Sequence, residues 1–204
     1  MAASSSYYGL VPINLQGGAP STGGSFREFP MTANVATAIY TGDVIVMASG
    51  LPIPATSTPT TSTTGLLGVC VGVRYQDPTL KQFQYSQYLP AGAYTAGYRN
   101  IWIRVADDPN QLFMVQADGS ISATYYGKTA QLGNFGGNTI TGKSTVNLVT
   151  ASVATTATYA VKIIDFMNAG SLFPAGSAPA DSYTDCIVRW NFTVHSYTAA
   201  TGAT

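Results

Sequence analysis

Alternation of apolar and polar residues is the strongest signal in this chain, and it is clearest over residues 186–194. One side of that run carries Cys186, Val188, Trp190, Phe192 and Val194, and the other carries Ile187, Arg189, Asn191, Thr193 and His195. A period of two residues is that of a β-strand with one buried face. Residues 186–194 are therefore predicted to form a strand, with His195 at the end of its polar face.

A second pattern consists of two apolar runs, residues 101–105 and 112–115, on either side of the turn-forming residues 106–110. Pro109 fixes its own φ and moves Asp108 out of the helical region. The carboxylates of Asp107 and Asp108 are read as turn formers because they can accept hydrogen bonds from nearby backbone. The pattern predicts a β-hairpin.

Further strands are predicted at 35–40 and 43–48 around a turn at 41–42, at 66–75, at 83–88 and at 158–166. Gly68 and Gly72 inside an apolar strand suggest bulges or a close backbone approach. Residues 51–65 and 169–185, which contain several prolines, are predicted to be loops. The best case for a helix, a weak one, lies near residues 146–154.

These elements predict an all-β fold, an antiparallel barrel or sandwich of short strands with long loops. The expected organisation is an extended N-terminal arm at 1–30, a β-rich domain at 31–198 and a flexible tail at 199–204. The arm has few large apolar residues, so it is either an extended segment anchored on a neighbour or a disordered tail. The residues predicted to contact a partner are Tyr7, Tyr8, Leu10, Val11, Ile13, Phe26 and Phe29.

The charge composition narrows the classes of function. Only 9% of the 204 residues are charged, and nine basic residues balance nine acidic ones; a typical soluble protein has about 25% charged residues. Nucleic acid and anionic membranes select clustered Lys and Arg, so neither is an expected partner. A surface with so few charges favours a protein that is covered by neighbours in an assembly. A slightly apolar secreted domain is the alternative.

The sequence lacks the patterns of a signal peptide and of a membrane-spanning segment, so synthesis in a cytoplasm is expected. Residues 1–8 have neither the positive start nor the apolar segment of a signal peptide. The longest apolar run, residues 66–73, is too short to cross a bilayer of about 30 Å. Cys70 and Cys186 lie in apolar runs and are expected to be buried thiols, although a disulfide stays possible.

One segment, residues 137–144, fits the nucleotide-binding pattern G-x-x-x-x-G-K-[ST], with Lys143 and Ser144 in the phosphate and magnesium positions. Such a loop needs a buried strand before it and a helix after it. Residues 131–136 are polar and Gly-rich, and Thr and Val follow the motif. The segment is therefore predicted to be a flexible connection between strands.

No pattern predicts an enzyme, a cofactor or a metal site. The only histidine is His195, and the only glutamate is Glu28. The nucleophile pattern G-x-S-x-G is absent, and no ligand-spaced cluster surrounds the histidine. We expect His195 to be solvated.

Seven short motifs follow one another in a recognisable order. They are Gly9-Leu10-x-Pro12, Ala38-Ile39-Tyr40-x-Gly42-Asp43, Leu66-Leu67-Gly68-Val69-x-Val71-Gly72, Asp108-Pro109, Thr141-Gly142-x-Ser144, Ala154-Thr155-Thr156-Ala157-Thr158 and Ile187-Val188-Arg189. In this order the chain resembles a group of small virion proteins of tailed bacteriophages, which are common in marine phages and often encoded beside the major capsid protein.

The resemblance implies a capsid decoration, or cement, protein on the outer surface of the virion head, made in the host cytoplasm. Its partners would be the major capsid protein and further copies of itself, as a homotrimer or another symmetric oligomer. The alternative is a tail or fibre module that binds host glycans through the Tyr- and Gln-rich residues 76–98 and the tryptophans. A small hydrolase that uses His195 is a third hypothesis.

Overall fold

The computed structural model describes residues 5–16, 26–31, 35–60, 65–167 and 183–199. Its strands are β1 (Val11–Leu15), β2 (Phe26–Met31), β3 (Ile39–Tyr40), β4 (Val44–Ala48), β5 (Leu51–Pro54), β6 (Gly65–Gln76), β7 (Phe83–Ser86), β8 (Tyr88–Leu89), β9 (Arg99–Ala106), β10 (Gln111–Gln116), β11 (Thr129–Gly133), β12 (Gly137–Asn138), β13 (Lys143–Ser144), β14 (Asn147–Ala154), β15 (Val161–Phe166) and β16 (Asp185–Trp190). A single 3-10 turn, Ala123–Tyr125, is the only helical element in the described ranges. The predicted all-β class is confirmed.

Two antiparallel sheets make up the body. Sheet I has the strand order β1-β10-β16-β15-β11-β14, and sheet II has the order β2-β9-β6-β4-β5, with β7 paired to the end of β6. Two small pairs, β3-β8 and β12-β13, complete the described part of the chain. The sheets form a sandwich and do not close into a barrel, which decides between the two predicted architectures.

Two apolar clusters hold the sheets in place. The larger lies between the sheets and includes Phe113 and Trp190 from sheet I and Val46 and Leu66 from sheet II. The smaller lies on the other face of sheet II, where Ile103 and its neighbours pack against residues of β3 and β8. Sheet II thus buries both faces over part of its area, which explains its nearly continuous apolar strands.

The predicted hairpin of residues 101–115 is wrong. Strands β9 and β10 do form, but β9 pairs with β2 and β6, whereas β10 pairs with β1 and β16. The turn between them has the expected chemistry, since the Asn110 amide donates to Oδ1 of Asp108 at 2.7 Å. That turn carries the chain from sheet II to sheet I. The prediction failed because a turn sequence fixes a change of direction but not the strand with which the next segment pairs.

Two other predictions need correction. Part of the predicted loop 51–65 is β5, an edge strand that pairs with β4. Every second residue directs its amide toward β4, as shown by the hydrogen bond from Ala55 N, just after β5, to Val44 O at 2.8 Å. The nitrogen atoms of Pro52 and Pro54, which have no hydrogen to donate, face away from β4. Proline is tolerated in a strand in this orientation. Residues 147–154, the weak helix candidate, form strand β14 against β11.

The glycine expectations for β6 are confirmed. Gly68 approaches β9 so closely that a Cβ atom on it would lie 2.1 Å from the carbonyl oxygen of Ala106. Gly72 has φ of 152° and lies at a bulge in the pairing with β9. Cys70 and Cys186 are free, buried thiols, as expected, and burial raises the pKa of each to about 12.

The last strand is shorter than predicted. Cys186, Val188 and Trp190 are buried as the alternation requires, but β16 ends at Trp190. Phe192 is 37% exposed and His195 is completely buried, so the predictions of an inward Phe192 and a solvated histidine are wrong. A turn at residues 192–194 reverses the chain and moves His195 against Leu66 of β6.

The N-terminal segment is part of the body wherever it is described. Strand β1 adds to the edge of sheet I, and β2 adds to the edge of sheet II. The predicted boundary between arm and domain, at residue 30, falls inside β2. Residues 1–4, 17–25, most of the predicted loop 169–185 and nearly all of the predicted tail lie outside the described residues.

No helix in the described ranges has the length and apolar character needed to span a membrane.

Candidate functional site

The hairpin formed by β12 and β13 presents two different faces. Gly137 pairs with Ser144, and Asn138 pairs with Lys143. Gly137 and Ser144 face inward: a Cβ atom on Gly137 would lie 2.3 Å from the Tyr40 ring, and the buried Ser144 hydroxyl donates to the Gly136 carbonyl at 3.2 Å. Asn138 and Lys143 therefore face outward, following the two-residue period of a strand.

The N-terminal segment crosses this hairpin at a fixed point. Gly9 has φ of 77°, and a Cβ atom on it would lie 2.7 Å from both Gly42 O and Cβ of Ser144, so only glycine fits. The next amide, Leu10 N, donates to Gly42 O at 3.0 Å, and the Leu10 side chain is 1% exposed. On the other side of the crossing, the Tyr8 hydroxyl donates to Oδ1 of Asp185 at 2.5 Å. These contacts hold the segment beside the hairpin.

A groove of about 540 Å³ lies between the N-terminal segment and the hairpin. Its lining residues are Ser6, Tyr7, Tyr8, Val11, Met114, Asn138, Thr141, Lys143 and Thr145. The groove thus combines an apolar, aromatic wall with a rim of amide, hydroxyl and ammonium groups.

The predicted contact residues divide between several environments. Tyr7, Tyr8 and Val11 line the groove together. Leu10 is a core residue and cannot contact a partner, which corrects its assignment. Ile13 is half-buried on β1. Phe26 and Phe29 lie on β2 in the other sheet and pack against different clusters, so the seven residues do not form one surface.

The nucleotide-binding pattern at 137–144 folds as a β-hairpin, which confirms the predicted connection between strands. Its backbone amides are already bonded: those of Ile140 and Thr141 donate to Oδ1 of Asn138, at 2.8 and 3.4 Å, and that of Gly142 donates to the Asn138 carbonyl at 2.8 Å. These amides cannot cradle a phosphate. Within the described chain, Lys143 has no carboxylate within the 4.0 Å of an ion pair.

Asp107 and His195 belong to a buried polar cluster. Asp107 forms an ion pair with Arg27 and accepts a hydrogen bond from the Tyr197 hydroxyl at 2.8 Å. His195 accepts a bond from the Tyr197 amide at 3.3 Å through Nδ1, and burial lowers its pKa to about 4. Asp107 is therefore more than a turn former, because it joins β2 to the C-terminal residues. No group of three or more metal-ligating side chains is found in the described ranges.

A second candidate surface lies on sheet II, beyond the part that faces sheet I. We call it the aromatic face, and its residues are Phe26, Glu28, Arg74, Phe83, Tyr85, Trp102 and Arg104. The guanidinium of Arg74 lies 5.5 Å from the Phe83 ring centre and 5.4 Å from that of Trp102. It also donates to Oε2 of Glu28 at 3.1 Å. Phe83 is 55% exposed and Tyr85 is 72% exposed.

Sequence reasoning missed this arrangement. The alternation of Phe83 and Tyr85 is visible in the sequence, but the register that sets Arg74 opposite Tyr85 and Trp102 comes from two strand pairings. Glu28 reaches Arg74 only because β2 and β6 flank β9. Such contacts between residues far apart in the chain leave no local sequence signal.

Comparison with known proteins adds no identification: no protein-family model, curated protein or solved structure matches the chain. The fold and the two surfaces define a sandwich-like all-β protein with one polar-rimmed groove and one exposed aromatic face.

Two buried titratable groups lead to a pH prediction. Burial raises the pKa of Asp43 to about 6, although the Ser144 hydroxyl and the Tyr40 amide oppose the shift. A raised pKa gives stability that is present at low pH and is lost as the pH rises from about 4 to about 6. The lowered pKa of His195 acts in the opposite sense, because its stability is lost as the pH falls from 6.5 to about 4. Each effect amounts to about 3 kcal/mol, so in the native protein they largely cancel.

Single substitutions should separate the two effects in urea unfolding across this pH window. Relative to the native protein, Asp43→Asn should gain stability with rising pH, and His195→Gln should lose it. Slopes of the same sign in both variants would contradict this assignment.

Proposed function

We propose that this chain is a non-enzymatic structural protein of a tailed-bacteriophage virion. In this proposal it decorates the outer surface of the head and stabilises the contacts between capsomers. Its partners are the major capsid protein and other copies of itself. Support comes from the resemblance of its motifs to small virion proteins and from its low charge. The observation on which the proposal chiefly rests is the aromatic face, which no other described part of the chain covers.

The composition of the aromatic face is suited to a protein partner. Aromatic and arginine side chains are the residues that contribute most to binding at protein interfaces. Arg74 and Arg104 are already ordered, since both lie within 4.0 Å of Glu28 and both stack on aromatic rings. Ordered side chains lose less conformational entropy on binding. Two guanidinium groups against one carboxylate also leave the face slightly positive.

Strand β7 gives this face an open edge. Three of the four outer strands of the two sheets, β1, β2 and β5, contain proline, namely Pro12, Pro30, and Pro52 with Pro54, whereas β14 of sheet I does not. Proline at an edge blocks the addition of further strands. β7 pairs only with β6 among the described strands and has no proline or charge. A partner strand could therefore extend sheet II next to Phe83 and Tyr85.

The proposal can be tested by binding of the purified protein to heads that lack it. The double variant Phe83→Asp, Tyr85→Asp should bind the heads about one hundred-fold more weakly, because it places two charges in the interface. The matched control is Ile140→Asp, since Ile140 is 93% exposed at the tip of the β12-β13 hairpin. We expect the control to bind like the native protein. Native binding by the double variant would overturn the proposal for this face.

A further inference from the structure

The groove beside the β12-β13 hairpin has a charge that the described chain leaves unpaired. Lys143 is exposed and lines the groove, and no carboxylate of the described residues lies within 4.0 Å of it. Lys143 pairs with Asn138 across the hairpin, so its side chain starts next to the side-chain amide of Asn138. The groove is thus complementary to a negative charge.

Hydrogen-bond donors surround the lysine. Oδ1 of Asn138 is occupied by the amides of Ile140 and Thr141, which leaves its Nδ2 hydrogens to donate elsewhere. The Thr141 hydroxyl accepts from the Lys143 amide at 3.4 Å, so its own proton is also available. An ammonium, an amide and a hydroxyl together suit the two oxygens of a carboxylate.

The opposite wall of the groove suits a ring. Tyr8 directs its hydroxyl away, toward Asp185, and so presents its ring. Tyr7 lies beside it, and Val11 and Met114 extend the apolar surface. Sugar rings pack their C–H faces on such aromatic surfaces, while their hydroxyls need a polar rim like that of Ser6 and Thr145. The volume of about 540 Å³ falls within the common range for small ligands of about 300–1,000 Å³.

We propose that this groove binds an acidic saccharide, a pyranose unit that carries a carboxylate. Lys143, Asn138 and Thr141 hold the carboxylate, and Tyr7 and Tyr8 support the ring. The inference does not depend on head binding. A nucleotide is disfavoured because the loop amides that would hold its phosphates are already bonded to Asn138.

The test is a chemical-shift titration of the full chain with three probes: the methyl glycoside of glucuronic acid, methyl glucoside and acetate. The glucuronide should give saturable shifts at the groove residues. Methyl glucoside, which lacks the charge, and acetate, which lacks the ring, should each bind about ten-fold more weakly or worse. Saturable shifts elsewhere, no saturation, or equal binding of either partial probe would overturn the proposal.

Variants test separately the part of the site that holds the carboxylate and the part that supports the ring. Lys143→Met should remove the preference for glucuronide over methyl glucoside, and Tyr7→Ala should weaken both. The control Lys81→Met changes an exposed lysine of the β6-β7 connection, outside the groove lining, and should leave binding unchanged. Lys143→Glu, which reverses the charge, serves as a second variant and should abolish glucuronide binding. Retained preference in both Lys143 variants would overturn the role of the lysine.

Discussion

Gly68→Ala is expected to lower the free energy of unfolding by more than about 3 kcal/mol or to prevent folding. A Cβ atom at this position would lie 2.1 Å from the Ala106 carbonyl oxygen and 2.9 Å from Cα of Asp107. Both neighbours are backbone atoms of β9 and its turn, which cannot move as a side chain does. The added methyl group would push β6 away from β9 at the point where the chain leaves sheet II for sheet I.

The matched control is Gly50→Ala, measured by the same urea unfolding experiment. Gly50 has φ of 77°, and nothing lies within 4 Å of the place that an added methyl group would take, so alanine there meets backbone strain alone. That strain costs about 1 kcal/mol. The difference between the two variants isolates the steric clash at Gly68. Losses that agree to within about 1 kcal/mol would contradict the close approach of β6 and β9.

Trp190→Ala should cost about 3–5 kcal/mol. Trp190 is completely buried between the sheets, and its ring centre lies 5.0 Å from that of Phe113. Its removal would leave a cavity where β10 and β16 of sheet I meet the residues of sheet II. Urea unfolding followed by circular dichroism measures the loss without depending on tryptophan fluorescence.

The chain has a second tryptophan that serves as the comparison. Trp102 is half-buried on the aromatic face, where it contacts Arg74 and leaves no enclosed cavity when truncated. Trp102→Ala should therefore cost about 2 kcal/mol or less. If the two variants lose equal stability, the inter-sheet core is not where the structure places it.

Local patterns predict much of the fold. The alternation over residues 186–190 identifies the buried side of β16, and the glycines of β6 mark a close approach and a bulge. Both signals are local, because the residues that show the pattern are the same residues that are buried or closely approached. The absence of a strand-loop-helix context likewise allows residues 137–144 to be predicted as a connection between strands.

Apart from the weak helix candidate at 146–154, the failures concern residues that are distant in sequence. The turn at Asp108 is predicted correctly, but nothing local shows that β9 and β10 join different sheets. Pro52 and Pro54 indicate a loop unless it is known that their strand lies at an edge. His195 lies beyond the end of the strand that is predicted to carry it, and its burial depends on a chain reversal against β6.

The candidate site, too, is predicted from sequence in part only. Tyr7, Tyr8 and Val11 are predicted from sequence as contact residues, and they do line one groove. Lys143 stands out in the sequence only as part of a nucleotide-binding pattern. Its position beside Tyr7 and Tyr8 follows from the crossing of Gly9 over Gly42, which the sequence alone does not reveal.

The most direct measurement of the proposed function is an electron-microscopic reconstruction of virions from the phage proposed to encode this protein, combined with the copy number of this chain per particle. We expect many copies in symmetric positions on the outer head surface, with the aromatic face turned toward the shell. A few copies confined to the tail, or none in the particle, would contradict it.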